Sequence, residues 1–503
     1  MSDRLWTPTK IVHCDSAIEA GADNMVQDRN STHLEPNVPI ANFARFADAE
    51  AMGNLLWQRL AAGFDSQELP IACTIVYARY KHLKAQSQSK SSLSVCYRLD
   101  VAGRRERRHD TLFYVKAYLG GRSRNEWEKL ADSSRTGLGT GTFVVHVPEL
   151  DAIVWRFPHD PVLTHLPKVI DADRVRSYLP WELLPNSVPA PDGLTNLTNR
   201  VAHYLPEKSC TTRYDLQWQV AGTPHELTLY GKTFKGEEGK EIYERMIHFW
   251  RTSCQDPGSI TVAQPLAYTE TVKTIWQRAI DGAPLSRVID ETNYERYLLK
   301  VATGLATLHK SRLGSSRAVT IDDHLVESRK KSLKLGQALP LVMTPLQVLL
   351  RHLETDAPSI ASADHTLIHG DCQFGNLLAQ DDQVVFLDFD DCVQGDPARD
   401  VANFIVYLHF YDFSPTLRDA MSSTFLASYQ RSVEWEMSAE RLAWHLRVQF
   451  LNKAYRAYFQ QAAGTEQEVL RILDLAGNAT RLASKCALNG IEPPTAPWRQ
   501  DSC

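Results

Sequence analysis

What the chain lacks narrows its roles before any motif is read. Near the N-terminus no stretch has the apolar length of an export signal, since residues 1–20 carry Asp3, Asp15 and Glu19. No later segment reaches the ~18 apolar residues of a membrane span. The expectation is a soluble protein of the cytoplasm with no membrane partner. The nine cysteines are odd in number and scattered, with no Cys-x-x-Cys pair. No Cys/His spacing fits a metal ligand set, so neither a disulfide framework nor structural zinc is expected, and reduced thiols fit best. Basic charge is not in excess either. A net charge of -5 argues against a nucleic-acid partner. The run Arg104, Arg105, Arg107 and Arg108 lacks interleaved aromatics and reads as a solvated loop.

What is present is the composition of a chain that folds throughout, 43% hydrophobic and 23% charged. At 503 residues it exceeds one hydrophobic core, and two or three lobes are expected. Punctuation by Pro, Gly and Asn over 185–199 (PNSVPAPDGLTNLTN) marks a linker. Ahead of it, 93–99 (LSVCYRL) and 111–118 (TLFYVKAY) read as strands, and behind it 211–218 (TTRYDLQW) and 226–234 (ELTLYGKTF) read the same way. The two segments align as a weak repeat over about 80 residues. Tyr97 and Lys116 stand 19 residues apart, Tyr214 and Lys232 18 apart. Each lysine strand is followed by a helical stretch (NEWEKLA from Asn125; EIYERMIHFW from Glu241), a Pro-bearing strand and a tryptophan strand (IVWRF, 153–157; TIWQR, 274–278). From residue 291 the pattern turns helical, with helices expected near 293–310, 344–353, 397–409, 415–433, 439–461 and 467–487. The expected organisation is an N-terminal extension (1–69), a degenerate first β-rich lobe (70–184), a second β-rich lobe (200–285) and a helical lobe (286–495).

Chemistry concentrates in 366–404, TLIHGDCQFGNLLAQDDQVVFLDFDDCVQGDPARDVANF. Phosphoryl transfer to an alcohol needs a carboxylate near the attacking hydroxyl, oxygen ligands for Mg²⁺ and a cation on the leaving phosphates. Asp371, two residues after His369, stands where a base or orienting carboxylate would sit. Asn376 can offer a carbonyl oxygen to a metal. Asp388, ending the apolar run 384–387, is the natural second ligand.

Taken together, His369-Gly370-Asp371-x4-Asn376, an apolar strand into Asp388-Phe389-Asp390, and Gly395-Asp396-Pro397-x2-Asp400 resemble the signature of aminoglycoside phosphotransferases and choline kinases. The resemblance implies an α+β, protein-kinase-like bilobal fold with a β-rich N-lobe and a mostly helical C-lobe, here preceded by a degenerate duplicate of the N-lobe. It implies ATP and Mg²⁺ as cofactors, and as partner a small-molecule hydroxyl acceptor such as an aminoglycoside, amino alcohol or sugar-like compound. By it the catalytic residues are Asp371 and His369, the histidine bracing the loop, while Asn376 and Asp388 hold Mg²⁺. Asp396 and Asp400 tie the acidic loop and the next helix to the catalytic loop. Asp390 either joins the metal shell or is an exposed second carboxylate. Upstream, Lys232 fits the strand lysine that contacts ATP phosphates, with Glu244 or Glu241 as its ion-pair partner, and the backbone from Gln277 to Ala279 receives the adenine. In one respect the chain departs from protein kinases: the loop 205–210 (LPEKSC) has no glycine-rich phosphate cover, and Lys208 or Ser209 could substitute. The first repeat offers Lys116 with Glu126 or Glu128 but has no His-Gly-Asp element before the linker. A nucleotide- or metabolite-binding pseudokinase is the competing expectation, against which Asp371, Asn376 and Asp388 are all present.

Overall fold

The computed structural model describes residues 45–60, 69–81, 92–102, 108–133, 143–185, 188, 191–360, 365–460 and 464–488. Arg104, Arg105 and Arg107 of the basic run, and most of the expected N-terminal extension, lie outside them. Helix α1 (Ala49–Leu60) covers an antiparallel sheet of β1 (Leu69–Lys81), β2 (Ser92–Ala102), β3 (Arg108–Ala117), β4 (Val144–Val147) and β5 (Ala152–Arg156), with α2 (Arg122–Ser133) between β3 and β4. The strand order is β1-β2-β3-β5-β4. In β2 successive side chains point to opposite faces. Val95, Tyr97, Leu99 and Val101 enter the core under α1, while Cys96 enters a second core on the far side.

The second sheet repeats this plan. It consists of β6 (Asn196–Leu205), β7 (Ser209–Val220), β8 (Thr223–Phe234), β10 (Pro265–Thr269) and β11 (Thr274–Arg278) in the order β6-β7-β8-β11-β10, with α3 (Glu238–Gln255) and the short β9 (Thr261–Val262) between β8 and β10. Lys116 pairs in register with Ser94 and Ile153, and Lys232 with Thr211 and Ile275. In both sheets a short 3-10 turn leads into the last strand and ends in a left-handed residue, Asp151 (φ 49°) or Lys273 (φ 50°). Its carbonyl accepts from the amide two residues past the lysine, Tyr118 at 2.8 Å and Phe234 at 2.9 Å. The tryptophans do not correspond in the same way: Trp155 lies opposite Tyr114, whereas Trp276 lies opposite Gly231. A Cβ on Gly231 would come within 2.9 Å of the Trp276 ring.

Each unit therefore has three strands before its helix, where two were expected. The missing ones, β1 and β6, are edge strands, and β6 has a mostly half-buried or exposed pattern that weakens its apolar signal. The expected linker 185–199 is accordingly too long, since Asn196 already pairs with Gln217. The two sheets share a core. Cys96 and Leu112 of the first meet Tyr214, Leu216, Leu229 and Trp276 of the second around Leu163, Leu166, Val169 and Val175.

The C-terminal region begins at β12 (Ala283–Pro284) and continues through α4 (Tyr294–Lys310), α5 (Ile321–Ala338), α6 (Met343–Ile360), β13 (Thr366–Ile368), β14 (Leu377–Gln380), β15 (Gln383–Phe386), β16 (Val393–Gly395), α7 (Ala398–Leu408), α8 (Pro415–Ser432), α9 (Ala439–Gln460), α10 (Thr465–Gly477) and α11 (Ala479–Leu488). Helix α5 was not among the expected helices. Its charged run Asp322 to Lys334 hides the apolar stripe, although Thr320 and Asp323 close a capping box at its start. The expected helix 467–487 is split at Asn478, whose amide closes back onto Asp474 and Leu475.

At the centre of this region stands Asp400, in the first turn of α7 and fully buried. Its carboxylate accepts from the His369 amide at 2.6 Å, the Gly370 amide at 2.9 Å and His309 Nε2 of α4 at 3.1 Å. His309 Nδ1 in turn lies 2.7 Å from the Tyr429 hydroxyl of α8. Burial opposes ionisation of Asp400, but the bond from His309 and the charges of His309, His369 and Arg399 outweigh it and hold the carboxyl below its usual range. Removing it leaves buried donors unmet. Asp400→Ala should therefore cost about 3 kcal/mol or more in urea unfolding. Because the folded-state pKa is depressed, that contribution is fully present above about pH 4 and fades as acid passes the folded value. The stabilities of wild type and variant should converge on acidification.

Candidate active site

From β13 the chain turns sharply at Gly370, whose φ is 83° and where a Cβ would come within 2.2 Å of the Asp391 carbonyl. Only glycine fits there. The turn delivers Asp371 to the cleft, and a 3-10 turn (Phe374–Asn376) follows. Asn376 Nδ2 donates to the Asp371 carbonyl at 2.8 Å and to Asp371 Oδ2 at 3.2 Å, and Gln373 Nε2 reaches the same oxygen at 3.2 Å. The Asn376 carbonyl accepts from the Leu387 amide at 2.9 Å, tying this loop to the strand that ends in Asp388.

His369 does not share the cleft with Asp371. It is fully buried, its Nε2 lies 3.0 Å from the Leu387 carbonyl, and its ring packs against Phe389. Expected with Asp371 as a catalytic residue that braces the loop, it instead joins β13 to the end of β15. Asp396 also acts away from the Asp371 loop. It caps Ala398 at 2.8 Å and receives Arg441 and His445 of α9.

Across the cleft, Lys232 of β8 extends its ammonium to Asp388 Oδ1 at 2.7 Å and Asp390 Oδ2 at 2.8 Å. Burial would discharge the lysine, but the two carboxylates outweigh it and raise its pKa. Burial likewise works against ionised Asp388, yet Lys232 holds that carboxyl well below the usual range. Burial and the neighbouring Asp388 charge push Asp390 the other way, to about 7. Their exposures also separate them, since the Asp388 side chain is 43% accessible and that of Asp390 12%. Asp388 is the carboxylate open to an incoming group, and Asp390 anchors Lys232.

This replaces the expected helix glutamate. Glu244 is exposed on α3, and Glu241 pairs with Arg245 and accepts from Ser316, 2.7 Å from its hydroxyl. The cause is helical phase. The turn of α3 that faces Lys232 presents Ile242 and Met246, which line the same pocket as the lysine.

The pocket is bounded by His203, Thr211, Tyr230, Phe234, Ile275 and Gln277 from the second sheet and by Asp371, Asn376, Asp388 and Asp390 below. Gln277 thus lies on its wall. Ala279 does not offer a free amide, because its N–H donates to the Thr228 carbonyl at 3.1 Å. His203 was missed by the sequence reading. A bulge between Val201 and His203 turns it inward, and burial, then Lys232, lowers its pKa to about 4. Lys208 is exposed at the tip of the β6–β7 hairpin and lies within electrostatic range of Asp388, whereas Ser209 is buried.

That tip is held by the first sheet. Its turn closes from the Lys208 amide to the Leu205 carbonyl at 3.0 Å, with Pro206 second and Glu207 third at φ 62°. This is the pattern of a type II turn with glutamate where glycine is usual. Lys116, at the place in the first sheet that Lys232 holds in the second, binds the Glu207 carboxylate at 2.5 Å, both side chains being mostly buried. Asp160 accepts from the Glu207 amide at 3.0 Å and from the Tyr204 hydroxyl at 2.7 Å.

Among the described residues no group of three or more His, Cys, Asp or Glu is gathered as a metal cage. The donor set at Asn376 and Asp388 is hard oxygen, suited to a cation that shares its ligands with phosphate and water. The Lys232 ammonium, between Asp388 and Asp390, marks where positive charge is accommodated.

No curated protein matches the chain in sequence. Among solved structures it is similar to ADP-bound aminoglycoside phosphotransferase APH(2'')-Ib, at 17% identity and TM-score 0.36 over 59% of this chain and 95% of that one. It is also similar to a choline/ethanolamine kinase family protein from Mesorhizobium loti, at 12% identity and TM-score 0.40 over 62% and 98%. Residues 250–443 match the phosphotransferase enzyme family. Over that stretch, which holds Asp371, Asn376, Asp388 and Asp400, the chain carries the pattern of this family and resembles the aminoglycoside phosphotransferases and choline kinases.

Proposed function

We propose that the protein is a Mg²⁺-ATP-dependent kinase that transfers the γ-phosphoryl group to a hydroxyl of a small molecule. The observation that carries this reading is the convergence of Lys232, Asp371, Asn376 and Asp388, from two regions of the chain, on one pocket. Adenine would enter between the Gln277 wall and the apolar side chains of Ile242 and Met246. Lys232 would exchange its carboxylate partners for the phosphates, with Lys208 a second contact from above. Asn376 and Asp388 would hold Mg²⁺, whose charge neutralises that of the phosphates. Asp371 orients the acceptor hydroxyl and takes its proton as the oxygen bonds to the γ-phosphorus. The bond to the β–γ bridging oxygen breaks, and ADP leaves with that electron pair.

In this reading residues 200–285 form the nucleotide lobe and 286–495 the catalytic helical lobe. Residues 70–184 are a duplicate of the small lobe whose lysine now positions the hairpin above the phosphates. The strand order and turns shared by the two sheets support it. The described cysteines are all free thiols, which suits a reducing cytoplasm, and no helix among the described residues is long and apolar enough to cross a membrane.

Asp371→Asn should lower kcat by about 100-fold or more, with the ATP KM changed only a few-fold, in a steady-state assay of ADP release. Loss of nucleotide binding together with thermal stability would show a structural aspartate instead. Wild type should bind ATP more tightly with Mg²⁺ than with chelator, and calorimetry on Asp388→Ala should find that difference gone. Lys116→Met, which releases the hairpin tip without touching the pocket, should raise the ATP KM by about fivefold and leave kcat within about twofold.

A further inference from the structure

Near Asp371, helices α5, α7 and α9 bring together five basic side chains: Lys331, Lys334, Arg399, Lys453 and Arg456. Arg399 Nη2 lies 3.5 Å from the Gly370 carbonyl, and its Nε is buried with no hydrogen-bond partner. Arg456 Nη1 donates to the Tyr407 hydroxyl at 2.9 Å. Lys453 Nζ sits 3.3 Å from the Tyr407 ring centroid and 4.6 Å from that of Phe410. Arg399, Lys453, Arg456 and Tyr407 all feel the charge of Asp371. Lys331, bound to Asn452 Oδ1 at 2.6 Å, is within range of Arg456 and Arg399.

None of the five forms an ion pair among the described residues. The facing carboxylates are Asp400, which acts on Arg399, and Asp371 and Asp391, which act on both arginines, with Glu327 beside Lys331 already paired to Lys330 at 2.7 Å. Burial pushes Lys331 down to about 8, with Arg456, Arg399 and Lys334 adding to it against Glu327. Burial and Arg456 also lower Lys453. Their hydrogen-bond and ring partners are neutral, and gathering like charges without an ion pair is unfavourable unless an anion completes the set. The aromatic faces of Tyr407 and Phe410, which could stack on a cationic acceptor, are covered by Lys453, with Arg471 also over Phe410.

We infer that the acceptor is an anionic hydroxy compound, its carboxylate or phosphate group held by Arg399, Lys453 and Arg456 while its hydroxyl faces Asp371. This rests on the kinase reading above and narrows its substrate class. The transfer is unchanged: the acceptor oxygen gains the phosphoryl group, its proton goes to Asp371 and ADP leaves. The anion serves only to bind and orient.

The test uses the full-length protein saturated with Mg²⁺-ATP and four probes on one six-carbon polyol frame: D-gluconate, D-glucitol 6-phosphate, neutral D-glucitol and cationic D-glucamine. Affinity is read by thermal shift and turnover by ADP release. One of the two anions should bind at least about tenfold more tightly than glucitol, with glucamine the weakest, and which anion wins separates carboxylate from phosphate. Lys453→Met and Arg456→Met should each lose about tenfold in anion affinity, Arg456→Lys should restore part of it, and the control Lys300→Met, whose lysine pairs with Asp382, should lose none. Glucamine binding as tightly as either anion would overturn the inference, as would anions no better than glucitol or anion affinity that survives both methionine variants. Failure of wild type to bind ATP would instead strike the kinase reading itself.

Discussion

Everything in the cleft depends on one charge reaching across it. Lys232 leaves a β-sheet and meets Asp388, 156 residues later in the chain, and Asp390 just beyond it, and a long flexible side chain makes that span only if its surroundings hold both ends. The sheet fixes its root through in-register partners on either side. The far end is fixed by the tie from Asn376 to Leu387 and by His369 against the same strand end. Two carboxylates side by side repel, and the cation between them settles which is ionised. The more accessible one is kept as an anion and the more enclosed one is pushed toward its proton.

Beneath this stands a second buried charge with the opposite logic. Asp400 faces no solvent and no ligand. It collects two backbone amides and a histidine, so the backbone around Gly370 can hold a left-handed turn that puts Asp371 into the cleft.

How much of this was legible in the sequence follows from how far apart the partners lie. Asp371, Asn376 and Asp388 stand within a short run, so a local motif was enough to mark them as one group, and they line one pocket; the shared order of strands and helix was visible as well. The partner of Lys232 was not, because choosing between Glu241 and Glu244 requires the rotational phase of α3, which is set by packing of Ile242, Met246 and Phe249 and not by local propensity. His309, far from Asp400 in sequence, read as one more polar residue on an amphipathic helix. Each member of the cationic cluster, taken alone on its own helix, looks like an ordinary solvated lysine or arginine. Only the convergence of three helices gives them a shared meaning. The edge strands β1 and β6 were lost for a different reason, their half-wet faces lacking the continuous apolar signal of β2 and β7.

The ion pair between Lys116 and Glu207 has a consequence for how the chain can vary. Lys116, at the place in the first sheet that Lys232 holds in the second, binds a carboxylate on a neighbouring hairpin, and that glutamate occupies a backbone position that would otherwise favour glycine. Neither residue is suited to its place without the other. The two positions are therefore coupled in their tolerance of substitution: without the lysine, glycine suits the turn better than glutamate, and with it an acid opposite satisfies a mostly buried charge.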